Sequence, residues 1–354
     1  MNILIVKTSS LGDIIHCFGV VDYLKSRFPD CKIDWVAERP FAPLLEAHPK
    51  VDNVFTVASK EWRRSLLLHS TWKAIGQVRR EIQKNRYDVV FDLQGNIKSA
   101  LITKAVHAGE KVGFGKKTVP EWPNLWVTTS QFDYPKGRNI RDDYLHIVRS
   151  HFGDKEADLA TEELQLKIGD DERMGLERLL RHAAPRKPVV VCPGSAWPNK
   201  QLIDKTLAAF LQKLQQHYHY YYFFVWGSPE EHCRVDKLAH NCGLEGTVAN
   251  RMSLPALQNM MALSDLVIAM DSLPLHLAGT TKTATFSVFG ASSMNKYKPL
   301  GKNHYGLQGT CPYGATFDKR CSRLRNCPSG ACIRSVSEET LFQHFVAWRE
   351  GARV

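Results

Sequence analysis

Residues 1–28 read MNILIVKTSSLGDIIHCFGVVDYLKSRF, and this stretch decides the fold. The run Asn2–Lys7 is short and almost wholly apolar, which is typical of a strand buried on both faces. Small polar residues follow, and apolar positions then recur at helical spacing from Gly12 to Phe28. A buried strand that leads into a helix indicates a parallel α/β sheet. Asp13 therefore lies at a helix start, where it either caps the helix or takes part in chemistry.

The alternation of apolar runs and amphipathic helices continues through the chain and falls into two halves. It predicts further strands at Lys32–Ala37, Val54–Val57, Tyr87–Leu93, Pro188–Cys192, Tyr220–Trp226, Asp265–Met270 and Ala284–Phe289. It predicts helices at Trp72–Asn85, Asn96–His107, Leu202–Gln215, Glu230–Asn241, Leu254–Leu263 and Leu273–Ala278. The charged segment GDKEADLATEE, residues 153–163, interrupts the pattern and is interpreted as a linker. A chain of 354 residues is long for one core, so we expect two doubly wound domains in tandem.

The composition is that of a water-soluble globular protein with an excess of basic residues. No apolar run reaches the roughly 18–20 residues that span a bilayer, and the first residues lack the pattern of a signal peptide, so we expect a cytoplasmic protein. The formal net charge is +11 and the pI is about 9.2, which favours an anionic partner such as nucleic acid, a membrane surface or an acidic substrate. The sequence contains no RNA-binding aromatic motif or zinc-finger spacing, so we do not expect nucleic acid.

Nine cysteines occur, and four of them lie close together near the end, at Cys311, Cys321, Cys327 and Cys332. A disulfide framework is not expected in a cytosolic chain of this size. The four cysteines include no C-x2-C pair, so a zinc site is only one interpretation. The other interpretation is that reduced thiols pack a loop.

Ligands of open α/β sheets bind at the carboxyl ends of strands, where helix N-termini point. This rule selects five loops, at Thr8–Asp13, Asp92–Lys98, Pro193–Lys200, Gly227–Glu231 and Asp271–His276. All the candidate chemistry of the sequence falls on these loops or beside them.

The loop PGSAWPNK, residues 193–200, has the small residues that let backbone amides approach an anion, and Lys200 adds a positive charge. An ordinary turn explains the same residues equally well. The chain has no Walker A loop, and no G-x-G-x-x-G follows the first strand, which argues against a dehydrogenase.

Two further loops carry acidic residues just past a strand. In WGSPEE, residues 226–231, Glu231 is placed to accept hydrogen bonds from a ribose diol, although Ser228 and Glu231 also have the spacing of a capping box. In DSLPLH, residues 271–276, Asp271 ends a strand and His276 lies one turn into the next helix. His276 could instead have a purely structural role. Met252, just before the helix predicted from Leu254, could bind a nucleobase or simply pack in the core.

Taken together, the motifs resemble the lipopolysaccharide heptosyltransferases, glycosyltransferase family 9. The resemblance rests on IVKTSSLGDIIH (5–16), CKIDWVAE (31–38) and YDVVFDLQGNIKSA (87–100) in the first half. In the second half it rests on PGSAWPNK, WGSPEE, RMSL (251–254) and AMDSLPLHLA (269–278), in that order, and on the cysteine-bearing tail. KTSSLGD and DWVAE resemble in particular the heptosyltransferase I members.

The resemblance implies a GT-B fold, in which two Rossmann-like domains face each other across a cleft. Residues 1–160 would bind the acceptor, residues 161–335 the donor, and residues 336–354 would form a helix that returns to the first domain. The implied donor is ADP-L-glycero-D-manno-heptose, and the implied acceptor is the Kdo of Kdo-lipid A at the inner face of the inner membrane. Transfer would invert the anomeric centre without a metal or a cofactor.

Matching positions imply a role for each candidate residue. Asp13 would be the general base. The donor residues would be Ser195 and Lys200 at the diphosphate, Glu231 (or Glu230) at the ribose, Met252 at the adenine, Asp271 at the heptose and His276 at the phosphates, and Ser272 would also bind the donor. The acceptor residues would be Lys7, Ser10, Lys60, Arg63 and Arg64.

Two positions depart from the family pattern. Leu273 stands where a glycine is usual, and a leucine cannot bring the backbone as close to a phosphate. An arginine often present near 116–120 is absent, and Lys116 or Lys117 would replace it without a bidentate grip. Heptosyltransferase II, another family 9 transferase and a non-catalytic nucleotide-sugar-binding protein therefore stay as alternatives. The sequence leaves the oligomeric state and the length of the acceptor open.

Overall fold

The structure is a computed structural model that describes residues 1–65, 67–154 and 163–351. The chain forms two compact units, Met1–Glu162 and Glu163–Val354. The division falls two residues beyond the predicted boundary at 160. Most of the predicted linker, residues 155–162, lies outside the described residues.

The first unit is built on a six-stranded parallel sheet in the order β3-β2-β1-β4-β5-β6. The strands are β1 Asn2–Val6, β2 Lys32–Glu38, β3 Asn53–Val57, β4 Tyr87–Asp92, β5 Ala108–Phe114 and β6 Ser130–Phe132. The side chains from Ile3 to Val6 are fully buried, as expected for a central strand covered on both faces. β5 and β6 were not predicted.

The helices of the first unit are α1 Leu11–His16, α2 Phe18–Arg27, α3 Ala42–Glu46, α4 Ser59–Arg64, α5 His69–Gln83, α6 Ile97–Ala105 and α7 Ile140–His151. The single helix predicted from Gly12 to Phe28 is wrong, because it is interrupted at Cys17, which ends α1 and precedes α2. A short 3-10 turn, Trp122–Trp126, lies between β5 and β6.

The second unit repeats the same topology. Its parallel sheet has the order β12-β11-β10-β7-β8-β9. The strands are β7 Lys187–Cys192, β8 Tyr220–Phe224, β9 Gly246–Val248, β10 Leu266–Met270, β11 Ala284–Phe289 and β12 His304–Gln308. The helices are α8 Asp170–Leu180, α9 Asp204–Tyr218, α10 Pro229–Asn241, α11 Leu254–Ala262, α12 Leu273–Ala278, α13 Met294–Tyr297, α14 Ala331–Arg334 and α15 Glu338–Glu350.

The C-terminal helix α15 belongs to the second unit. The return of residues 336–354 to the first domain stays a prediction. The apolar face of α15 carries Leu341 and Phe345, both fully buried in the core of the second unit. The Phe345 ring lies 6.0 Å from that of Phe210 and 5.3 Å from that of Phe286, measured between centroids. These contacts explain why the helix ends against this sheet.

Two doubly wound α/β units confirm the predicted fold class. In each sheet the strand order reverses beside the first strand, between β1 and β4 and between β7 and β10. Such reversals open a crevice at the carboxyl edge of the sheet, and ligands bind there. Among the described residues no helix is both long enough and apolar enough to cross a bilayer.

Candidate functional site

In the first unit, one side chain joins the two loops at the strand reversal. Gln94, just after β4, accepts hydrogen bonds through Oε1 from the backbone amides of Thr8 and Ser9, at 3.0 and 2.9 Å. The KTSS segment after β1 is thereby tied to the loop after β4. The sequence placed both loops here but gave no sign of the contact.

Asp13 caps the helix that it helps to begin. Ser10 donates to Asp13 Oδ2 from its hydroxyl at 2.6 Å and from its backbone amide at 3.2 Å, and the two residues form a capping box. Both bonds go to Oδ2, so Oδ1 of this half-buried carboxylate stays outside the capping arrangement. The capping interpretation is therefore correct, and it leaves one oxygen for chemistry.

Beside Asp13 lies a buried pair that the sequence only half revealed. Lys7 is buried, and its Nζ donates to the Tyr144 hydroxyl at 2.9 Å. Burial raises the pKa of Tyr144 well above its usual range, and the nearby negative charge of Asp13 raises it further. The phenol therefore stays protonated, and Lys7, Asp13 and Tyr144 form one polar group at the end of β1.

The basic residues assigned to the acceptor lie on α4, which follows β3. Lys60, Arg63 and Arg64 are exposed there, two strands away from β1. At the base of α4, the Ser59 amide donates to Glu38 Oε2 at 3.0 Å, and Lys98 donates to the Ser59 hydroxyl at 3.1 Å. The structure thus divides the predicted acceptor residues into a buried Lys7 group and an exposed α4 group.

In the second unit, the two loops at the strand reversal are joined by a buried ion pair. Lys200, at the end of the loop after β7, donates through Nζ to Asp271 Oδ2 at 2.5 Å. His276 Nε2 lies 3.6 Å from the other carboxylate oxygen, Oδ1. Ser292, which the sequence did not indicate, also donates its hydroxyl to Asp271 Oδ2.

The charge of Asp271 is maintained by these neighbours. Burial would raise its pKa, but the charges of Lys200 and His276, with hydrogen bonds from Lys200 and Ser292, lower the pKa below the usual value. Asp271 is therefore ionised at neutral pH and neutralises Lys200. A diphosphate at this point would meet a lysine that is already paired with a carboxylate.

Glu231 links the loops WGSPEE and PGSAWPNK. Its Oε2 accepts from the Gly227 amide at 2.8 Å, and a Cβ added at Gly194 would collide with its Oε1. Glu230 instead accepts from the Ser228 hydroxyl at 2.6 Å on the exposed side of α10. Of the two carboxylates, Glu231 faces the neighbouring strand-end loop.

The loop after β7 is held by an arginine that no motif indicated. Arg234 on α10 donates to the Pro193 carbonyl at 3.2 Å, to Gln201 Oε1 at 2.5 Å and to the Leu202 carbonyl at 3.1 Å. Ser195 is buried within the same loop. Arg234 therefore fixes both ends of the segment that contains Ser195 and Lys200.

The remaining donor candidates lie at the same edge of the second sheet. Met252 is half-buried in the segment between β9 and α11, and Ser272 precedes the first residue of α12. Leu273 is that first residue, and helical backbone is open to any amino acid. A glycine at this position would therefore matter only by letting the backbone approach a phosphate more closely. Lys116 and Lys117, which follow β5, are exposed.

The four clustered cysteines line one small cavity in the segment 311–332, called here the cysteine loop. All are free thiols, and among the described residues no three His, Cys, Asp or Glu side chains are grouped to hold a metal ion. The loop packs on the PGSAWPNK segment, because Asn199 Nδ2 donates to the carbonyls of Leu324 and Cys327 at 2.9 and 3.0 Å. Its position thus supports the loop that carries Lys200.

Two solved structures of glycosyltransferases share this fold. Escherichia coli heptosyltransferase WaaC with ADP-2-deoxy-2-fluoro heptose aligns with a TM-score of 0.77 at 22% identity, over 99% of this chain and 100% of that chain. A glycosyl transferase family 9 structure from Veillonella parvula DSM 2008 aligns with a TM-score of 0.80 at 19% identity, over 99% and 98%. The fold is therefore GT-B.

The family follows from the sequence itself. Residues 75–325 match the profile of glycosyltransferase family 9 (heptosyltransferase), and the chain belongs to this family. The protein is a glycosyltransferase. Similar curated relatives are lipopolysaccharide heptosyltransferase 1 of Pseudomonas aeruginosa, 29% identical over 91% of this chain and 88% of the relative, and that of Campylobacter coli, 27% identical over 97% of both.

Proposed function

We propose that the protein transfers L-glycero-D-manno-heptose from ADP-heptose to the Kdo of the lipopolysaccharide inner core, with inversion and without a metal. The convergence of Lys200, Asp271 and His276 at the strand reversal of the second unit carries the proposal. A buried, charged cluster at that edge suits a nucleotide diphosphate sugar. The names of the curated relatives support the lipopolysaccharide acceptor.

On the donor side, each group has a task that its geometry suits. Glu231 accepts hydrogen bonds from the ribose hydroxyls, as carboxylates past a strand end do in dinucleotide sites. Lys200, His276 and the amides of the loop after β7 stabilise the charge that develops on the departing diphosphate. Asp271 holds Lys200 and His276 in place and contacts the heptose, with Ser272 beside it. Ser195 contacts the diphosphate and Met252 contacts the adenine.

On the acceptor side, Asp13 Oδ1 takes the proton of the attacking hydroxyl. Ser10 orients the carboxylate through Oδ2 and so leaves Oδ1 for the substrate. Lys7 and the exposed basic residues of α4 (Lys60, Arg63 and Arg64) attract the carboxylate of Kdo. Because lipid A is anchored in the bilayer, the enzyme works at the cytoplasmic face of the inner membrane, and nucleic acid is not a partner.

The test is a pair of measurements on Asp13→Asn. Loss of the base lowers kcat by about 10²–10⁴-fold. ADP binding stays normal, because Asp13 lies in the first unit and the donor residues lie in the second. Turnover within a few-fold of the wild type would show that Asp13 is only a cap, and ADP binding with no transfer by the wild type would indicate a binding protein.

The product identifies the acceptor. Mass spectrometry of Kdo-lipid A after incubation with ADP-heptose should show one added heptose. Transfer only to an acceptor that already carries heptose would indicate heptosyltransferase II instead. Activity lost in EDTA and restored by Mg²⁺ would contradict transfer without a metal.

A further inference from the structure

Large apolar side chains are exposed on neighbouring elements of the first unit. The exposed fractions are 101% for Leu67, 56% for Leu68, 58% for Trp72, 50% for Ile97, 66% for Leu101, 58% for Trp122 and 71% for Trp126. We call this set the apolar face. Single exposed apolar residues are ordinary, but a contiguous group marks an interaction surface.

These residues share one side of the first sheet. Leu68 and Trp72 lie at the start of α5, and Ile97 and Leu101 lie one turn apart on α6. Helix α6 contacts both α5 and the turn Trp122–Trp126. The connections after β3 and after β4 pack on the same side of the sheet because both crossovers run in the same direction and are right-handed. The apolar face therefore spans three neighbouring elements.

The turn that carries Trp122 and Trp126 is fixed by a buried polar residue between them. Asn124, between them in sequence, is fully buried and donates through Nδ2 to Asp92 Oδ2 at 2.7 Å. Glu121 accepts from the Ile97 amide at 2.8 Å, which fixes the turn to the start of α6. The rings of Trp122 and Trp126 pack edge to face, with centroids 5.1 Å apart. Their exposure is thus built into the fold.

The part of the chain that carries most of the apolar face is also rich in basic residues. Residues 59–105 contain ten Lys or Arg and four Asp or Glu, which is a net charge of +6 out of the +11 of the whole chain. The exposed cations among them include Lys60, Arg63, Arg64, Lys73, Arg79, Arg80 and Lys104. Lys104 lies on the same stripe of α6 as Ile97 and Leu101. An anionic bilayer attracts all of these cations at once. A protein partner would need an acidic residue opposite each of them.

We propose that the apolar face docks the protein on the surface of an anionic bilayer. Tryptophan prefers the interface between headgroups and acyl chains, and leucine and isoleucine enter the outer acyl region. The lysines and arginines of this part of the chain add electrostatic attraction. The helix starts that carry the face lie at the same sheet edge as Asp13, so docking brings a lipid-anchored acceptor to the base; this last step rests on the proposed function.

Binding of the full chain to vesicles tests the docking itself without any substrate. Co-sedimentation is measured with vesicles of phosphatidylethanolamine and phosphatidylglycerol and with vesicles of phosphatidylcholine alone. The wild type should bind the first kind and lose binding as salt rises. The variant Trp122→Ser/Trp126→Ser should bind more than about tenfold more weakly, because each buried apolar side chain is worth about a factor of ten.

A matched control uses Met174 and Leu263, which are each 59% exposed and lie in the second unit. Met174→Ser/Leu263→Ser should bind vesicles like the wild type. Equal weakening by both double variants, or a wild type that does not bind anionic vesicles, would overturn the proposal. So would intact vesicle binding by the tryptophan variant together with a changed oligomeric state in sedimentation velocity, since the face would then join two copies.

Enzyme assays separate this proposal from the proposed function. With a deacylated, water-soluble Kdo acceptor, the tryptophan variant should keep the wild-type rate, whereas with acceptor embedded in vesicles its rate should fall in step with binding. A wild type that binds vesicles but transfers no heptose to the soluble acceptor would refute the proposed function and leave the docking intact. An equal loss of rate on both acceptors would refute the docking role.

Discussion

Replacement of Lys200 by methionine tests the buried ion pair of the second unit. The side chains of Lys200 and Asp271 are 8% and 4% exposed, so the change leaves a buried carboxylate without its main counter-ion. Breaking a buried pair in this way costs about 3–5 kcal/mol of unfolding free energy. For a unit of this size each kcal/mol lowers Tm by about 2–4 °C, so calorimetry should show a drop of about 6–20 °C in the transition of the second unit.

The loss should depend on pH in a defined direction. In the wild type the pKa of Asp271 is lowered, so its contribution to stability is present above the unfolded-state pKa of about 3.9 and is lost as pH falls through the folded-state pKa. In Lys200→Met, burial without Lys200 favours the neutral acid and raises this pKa. The loss of unfolding free energy is then largest at neutral pH, and it becomes smaller as Asp271 takes up a proton at lower pH.

The assay compares Tm of the variant and the wild type from neutral pH down to about pH 4, near the acid pKa range. Lys213→Met is the matched control, because its ion pair with Glu339 is exposed and is worth at most about 1 kcal/mol. Lys200→Met/Asp271→Leu should recover most of the lost stability, since neither charge is then buried alone. A Tm difference that stays constant with pH, or a double variant no more stable than the single one, would refute the electrostatic reasoning.

Three further changes probe other contacts of the site. Glu231→Gln should raise KM for the donor roughly 10–100-fold through loss of charge-assisted hydrogen bonds, whereas Glu230→Gln changes it less than about twofold; a larger effect at Glu230 would reverse the assignment. Tyr144→Phe removes the acceptor of the Lys7 hydrogen bond and should raise KM for the Kdo acceptor but not for the donor; equal changes in both would contradict its place on the acceptor side. Asn199→Ala leaves two carbonyls of the cysteine loop unpaired and should cost about 1–3 kcal/mol in calorimetry; unchanged stability would show that the loop does not depend on this side chain.

The sequence predicted the central strands well because they bury both faces and have no polar interruption. β5 was missed because AGEKVGF places glycines and charges among its apolar residues, and β9 because it has only three residues. The sequence predicted one helix in place of α1 and α2, because the apolar spacing continues through Cys17. The interruption at Cys17 is visible only in the backbone conformation.

The candidate site was predicted as far as local rules reach. The rule for strand ends selected Asp13, Lys200 and Asp271, because each lies on a loop that follows a buried strand. It could not find Tyr144, which meets Lys7 across 137 residues, because Tyr144 sits in a helix whose spacing is that of core packing. Arg234 was missed for the same reason: its task is to hold backbone carbonyls of a distant loop, and such a contact leaves no pattern in sequence.

The two units solve the same structural problem with different chemistry. At the reversal of the first sheet a neutral amide, Gln94, joins the loops, and at the reversal of the second a buried ion pair does so. An amide side chain binds backbone without adding charge. The electrostatic potential around Asp13 is therefore set by Lys7 and by a bound substrate. In a buried ion pair the cation can bind another anion in place of its partner. A diphosphate that contacts Lys200 would therefore compete with Asp271 for this cation. Under the proposed mechanism, the second arrangement suits a site where negative charge develops on the leaving diphosphate, and the first suits a site where a proton is removed from the acceptor.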